Sequence, residues 1–97
     1  MLIVAGHFQV DPADRDEFIS TKHDAMRETR TEGGCLEYVM SADPIDDSRV
    51  MLFERWADQD AFDAHMAAIA ARGPGGGPAP KGFSVEIYDV AGVRQFG

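Results

Sequence analysis

The chain has 97 residues, room for one domain over 1–97, and its 44% apolar and 27% charged content is that of a globular protein rather than a disordered one. Nine Lys and Arg are scattered among seventeen Asp and Glu, a formal net charge of −8, which excludes the clustered basic surface that a phosphate backbone requires, so no nucleic-acid partner is expected. No run of about 18 apolar residues occurs, so no membrane partner is expected either, and the single cysteine, Cys35, cannot close an internal disulfide, which fits a cytoplasmic compartment.

The opening "MLIVAGHF" lacks the basic start of a signal peptide and reads as a strand over 2–10. Alternation sets Leu2, Val4, Phe8 and Val10 on one face and Ile3, Ala5, His7 and Gln9 on the other. A helix is predicted next. Asp11 suits the N-cap, Pro12 the first helical position, and Asp14 and Asp16 the positive end of the dipole. Phe18, Lys22, Ala25, Met26 and Thr29 continue a helical stripe, and "EGG" stops it near Gly33.

"CLEYVMSA" (35–42) alternates as a second strand, "DPIDD" is a turn by composition, and "RVMLFERW" (49–56) is the antiparallel partner across that short gap. Asp58 caps a second helix whose stripe is Phe62, His65 or Met66, and Ile69. "RGPGGGPAPKG" (72–82) breaks both helix and central strand. It reads as a slack connection in preference to a loop over a pocket mouth. "FSVEIYDV" (83–90) is the last strand, and "AGVRQFG" is a tail.

The order strand, helix, strand, strand, helix, strand is the split βαβ pattern of the ferredoxin-like fold, an α+β class with one four-stranded antiparallel sheet and both helices on one face. The other face, with Ile3, Ala5 and His7, is partly apolar and open. A patch of that kind marks an interface, and a homodimer formed sheet to sheet is expected, enclosing a cavity beneath the strands.

The segment "EGGCLEYVMSADPIDDSRVMLFERWADQDAFDAHM", about a third of the chain, resembles the antibiotic biosynthesis monooxygenase domain family of small dimeric α/β-barrel proteins. The residues that carry the resemblance are Gly34, Cys35, Tyr38, Asp43, Pro44, Glu54, Trp56, Asp58, Ala64 and His65. It implies cofactor-independent oxygenation of a phenol, quinol or anthrone by O2, in an apolar pocket that removes a proton and stabilises the anion. Two departures count against the family's haem-degrading members. Their Pro-His after the second helix is replaced here by "AAIAARGPGGGPAP", and their Asn near the end of the first strand by His7.

Five residues are the site candidates. Glu54 and Trp56 share a face of the third strand. If Met51 and Phe53 pack on the helices, Glu54 and Trp56 line the cavity as substrate-binding residues, against the plainer reading of Trp56 as a hydrophobic anchor. His7, on the open face opposite Phe8, is the better-placed catalytic base. His65 is the second, since an imidazole titrates near neutrality, but a helix behind the sheet reaches a cavity on the far face only around the edge. Tyr38 can orient a substrate through its hydroxyl, although its neighbours Leu36 and Met40 read as core.

No metal is expected, because the three histidines are far apart and neither His-Glu-x-x-His nor Cys-x-x-Cys occurs. The glycine-rich loop follows a helix rather than opening one, so it fails the context for phosphate binding. Two other functions stay open beside the oxygenase: a non-catalytic dimeric module that binds a small hydrophobic ligand, and a haem-binding or haem-degrading protein.

Overall fold

A computed structural model describes residues 1–73 and 75–97. The predicted connection at 72–82 therefore has one residue, Pro74, outside the described set. Strand β1 (Leu2–Gln9) is followed by a 3-10 turn (Pro12–Asp14), helices α1 (Arg15–Ser20) and α2 (His23–Thr29), strands β2 (Cys35–Ala42) and β3 (Arg49–Trp56), helix α3 (Gln59–Arg72) and strand β4 (Gly82–Asp89). The sheet is antiparallel in the order β2-β3-β1-β4, with the two segments of the ferredoxin-like fold on one side of it.

Local chemistry accounts for the boundaries. Asp11 accepts the Ala13 N–H at 3.0 Å and Asp58 the Ala61 N–H at 2.8 Å, so both helical segments begin at a side-chain cap. The β2–β3 turn is built by its acids. Asp43 Oδ1 accepts the Ile45 and Asp46 N–H groups, Asp46 Oδ1 accepts from Ser48, and Arg15 Nη1 donates to the carbonyls of Asp43 and Asp46, which ties the turn to α1.

The first helix differs from expectation in being two short ones. At the break the Lys22 N–H reaches the carbonyl of Ile19 in a tightened turn, and the Thr21 hydroxyl donates back to the Phe18 carbonyl at 2.9 Å. Side-chain bonds of that sort compete with the helical ladder and bend it. The bend still leaves Phe18, Met26 and Thr29 buried against the sheet, while Lys22 and Ala25 are left half-buried.

The facing of β1 is as predicted, with Leu2 and Val4 buried and Phe8 packed against the same core. The facing of β3 is reversed. Val50, Leu52, Glu54 and Trp56 point to the helices, and Met51, Phe53 and Arg55 to the open side. Register decides this. Leu2 pairs with Trp56, Val4 with Glu54 and Phe8 with Val50, and directly paired residues of neighbouring strands share a face. One glutamate was too little to outweigh three apolar residues, and its burial is made tolerable by specific partners. Trp56 and Phe18, at 0% and 1% exposure, close the two ends of the core, each contributing about 1.5–3 kcal/mol of apolar burial or more.

Candidate active site

The site lies between the sheet and the helices, on the opposite side from the expected cavity. A cavity of about 570 Å³ opens there, a size typical of small-molecule sites. Strands supply Phe8, Tyr38, Met40, Leu52 and Glu54, the helices supply Phe18, His65, Ile69 and Arg72, and the turn between α1 and α2 supplies Lys22. A smaller apolar groove of about 280 Å³ runs on toward β4, sharing Phe8, Leu52, Glu54 and Met66 and ending at Phe83 and Ile87.

At the floor the chain assembles a short polar chain inside apolar surroundings. Glu54, 5% exposed, accepts the Trp56 indole N–H on Oε1 at 2.9 Å. The same oxygen lies 4.0 Å from His65 Nε2, too far to share a proton. On the other side of the ring, His65 Nδ1 is 3.1 Å from Glu32 Oε2. An ionised carboxylate only accepts, so this contact places the proton on Nδ1 and leaves Nε2 as the basic nitrogen. Trp56 supports the imidazole at 4.6 Å between ring centroids, and the Tyr38 ring meets it edge-on at 5.4 Å.

The electrostatics follow from burial. Loss of water raises the Glu54 pKa above the usual carboxylate range, a push reinforced by the nearby Glu32 charge and opposed by the Trp56 hydrogen bond and by His65. Burial, with the adjacent Glu54 charge, drives the Tyr38 phenol far above its ordinary value. Tyr38 therefore stays a neutral phenol and cannot serve as a base.

Of the five predicted residues the fold brings four together and sets one apart. His65, Glu54 and Tyr38 line the cavity. Trp56 is fully buried behind His65 and Glu54, supporting them rather than touching a ligand. His7 sits on the opposite face of the sheet, where its Nδ1 meets Arg49 Nη2 at 2.8 Å. Strand alternation on β1 carries it away from this cavity, so His7 and the lining residues do not share a face of the sheet. His65, judged awkwardly placed when the cavity was expected on the far face, stands on the near one. In the 72–82 connection, read from sequence as slack, Gly73, Gly75 and Pro80 border the cavity.

Sequence reasoning missed Glu32, which was read as part of a helix stop. One signal was present. A carboxylate in the turn just beyond a helix C-terminus faces the negative end of the dipole, so its place there calls for a partner elsewhere. The partners are His65 and Arg72, the latter at 3.6 Å. Among the described residues no group of three or more His, Cys, Asp or Glu side chains is arranged to hold a metal ion.

Comparison with known proteins places this architecture. The family model for antibiotic biosynthesis monooxygenase matches residues 1–72. Over 65 residues, 67% of this chain, the sequence is 33% identical to the uncharacterised protein sll1783 of Synechocystis; the match spans 44% of that protein, less than half its length. A Deinococcus radiodurans structure, provisionally assigned as an antibiotic biosynthesis monooxygenase, superposes with a TM-score of 0.77 at 19% identity, covering 99% of this chain and 98% of that one. The haem degrader MhuD of Mycobacterium tuberculosis, solved with two haems in its active site, gives 0.76 at 18% identity, covering 98% and 100%. At such identities both likenesses concern the fold.

Proposed function

The chain belongs to the antibiotic biosynthesis monooxygenase family, and from that premise we propose that it oxygenates a small electron-rich aromatic, of phenol, quinol or anthrone type, in the cavity between sheet and helices. The observation that carries the reading is the buried pair His65 and Glu54 at the floor of a largely apolar cavity, with Glu32 behind the imidazole.

Ground-state O2 is a triplet and reacts poorly with closed-shell molecules, whereas an aromatic oxyanion can hand it one electron and then recombine with it. The chemistry asked of the protein is deprotonation in a dry pocket. A substrate hydroxyl entering the space before His65 gives its proton to Nε2, and Glu32 and Glu54 stabilise the resulting imidazolium. Phe8, Phe18, Leu52 and Ile69 hold the rings and exclude water. For an anthrone-type substrate the ring methylene becomes a carbonyl. One oxygen atom enters the product, the other leaves as water, and the substrate supplies all four electrons, so the reaction needs no external reductant.

Haem, the ligand of MhuD, fits these residues poorly. His65 is the one imidazole among the described lining residues; its Nδ1 is held by Glu32, and its Nε2 faces a carboxylate.

The test is oxygen uptake by metal-stripped protein offered hydroquinones, naphthols and anthrones. Uptake above the protein-free rate, reduced about 100-fold or more by His65→Ala, supports the reading. Ligand binding with a flat oxygen trace would replace it with the binding module.

A further inference from the structure

The walls of the cavity are not electrically uniform. Its acid, Glu54, lies at the floor, and its two cations, Lys22 and Arg72, come from the helix side. Arg72 keeps 34% of its side chain exposed against 7% for Glu54, which sets the positive charge nearer the mouth. Elsewhere, apart from Arg94 in the exposed C-terminal segment, the basic residues are engaged. Arg15, Arg27, Arg30, Arg49, Arg55 and Lys81 each meet a carbonyl, a carboxylate or His7. Among the described residues Lys22 has no such partner, and its ammonium lies 5.2 Å from the centre of the Phe18 ring, on the cavity wall. Arg72 is held loosely, at 3.4 Å from Glu28 and 3.6 Å from Glu32, with donors to spare. In a chain of net charge −8, an ammonium without an acid partner beside an apolar cavity is a local reversal of sign.

We propose, building on the oxygenase reading, that the substrate is an aromatic acid: a hydroxyl-bearing ring system with a carboxylate, bound with the carboxylate on Lys22 and Arg72 and the hydroxyl at His65 and Glu54. The arrangement has an orienting consequence. A carboxylate turned toward the floor would face the like charges of Glu54 and, behind His65, Glu32. Turned toward the mouth it meets two cations. The charge gradient therefore selects which end of the molecule reaches the base, while the apolar residues between fix the ring plane.

Calorimetric titration with 6-hydroxy-2-naphthoate, whose hydroxyl and carboxylate stand at opposite ends of the ring system, and 2-naphthol tests this through binding alone, with oxygen uptake recorded on the same samples. The wild type is expected to bind the hydroxynaphthoate about tenfold more tightly than the naphthol, the scale of one charge-assisted hydrogen bond. Lys22→Gln should collapse that ratio toward unity, Lys22→Arg should keep it, and Arg27→Gln, on an exposed pair with Asp24, should not change it. A ratio near one in the wild type, a ratio retained in Lys22→Gln, or no binding of either compound would overturn the proposal. Discriminating binding without oxygen uptake would sink the oxygenase reading and leave the anion site standing. Uptake without discrimination would do the reverse.

Discussion

Glu54 is the one ionisable side chain of β3 that points at the helices, and its company shows what keeps it there: an indole N–H on Oε1 and an imidazole beyond. Because burial raises its pKa above the unfolded value, folding is less favourable with the carboxylate ionised than with it protonated. That advantage of the protonated form is fully present below the ordinary carboxylate range and is lost as pH rises through the raised value. Glu54→Gln keeps the acceptor for Trp56 and carries the neutral form at every pH. It should therefore melt higher than wild type at pH 7 and alike near pH 3. A gain of about 1 kcal/mol would read as roughly 4–8 °C in Tm, and a lower Tm at pH 7 would contradict the account. For catalysis, Glu32→Gln should lower kcat by about tenfold or more with little change in KM and shift the pH profile of kcat, since it frees the imidazole tautomer. A His7→Ala variant should match wild type in oxygen uptake, because His7 is bonded to Arg49 on the other side of the sheet. Residue type and position in the sequence singled out Glu54, Trp56, Tyr38 and His65, which the fold brings together. Glu32 was not singled out, because its partner His65 is 33 residues away in sequence.

At the scale of elements, the positions of strands and helices were readable while their facings were only half so. The alternation of β1 and β3 is plain in the sequence, but each strand offers two faces, and only pairing tells which face of one matches which face of the other. Phe53 and Met51 made a plausible inner face in isolation; opposite Ala5 and His7 they are outer. The α2–β2 connection shows the converse, a local feature with distant effect. Gly34 has φ +81, and its carbonyl accepts the Ala57 N–H at 2.8 Å, pinning the start of β2 to the end of β3. A Cβ there would stand 2.4 Å from Ala61 Cβ. Gly34→Ala should cost about 2 kcal/mol or more in urea unfolding, from the left-handed backbone and the clash together. It should also weaken activity, because Glu32 is carried on the same connection. Wild-type stability in this variant would show that the connection yields.

For the whole molecule, the face of the sheet away from the helices is the unsettled surface. It presents Ile3, Ala5, Val39, Phe53, Met51 at 37% exposure and Tyr88 at 49%. Arg49 Nε lies buried there without a hydrogen-bond partner among the described residues. We expect two copies to meet through this face. Sedimentation equilibrium should give about twice the 10.6 kDa chain mass, and the double variant Met51→Lys, Phe53→Glu should sediment as a single chain with its helix content retained. A wild type that sediments as a monomer would leave the face for another partner. No helix among the described residues is long and apolar enough to cross a membrane.

The sequence by itself determined the elements, their order and the split βαβ topology, since period-two and period-3.6 patterning, caps and breakers act over a few residues. It also carried Glu54, Trp56, Tyr38 and His65 as chemistry in search of a place. Only the tertiary structure decided that the cavity lies under the helices, that His7 stands on the other face of the sheet, that Trp56 packs behind His65 and Glu54, and that Glu32 meets His65. Those outcomes depend on register and on which helix covers which strand. Both are set by the joint burial of residues far apart in the chain, so no single stretch of sequence states them.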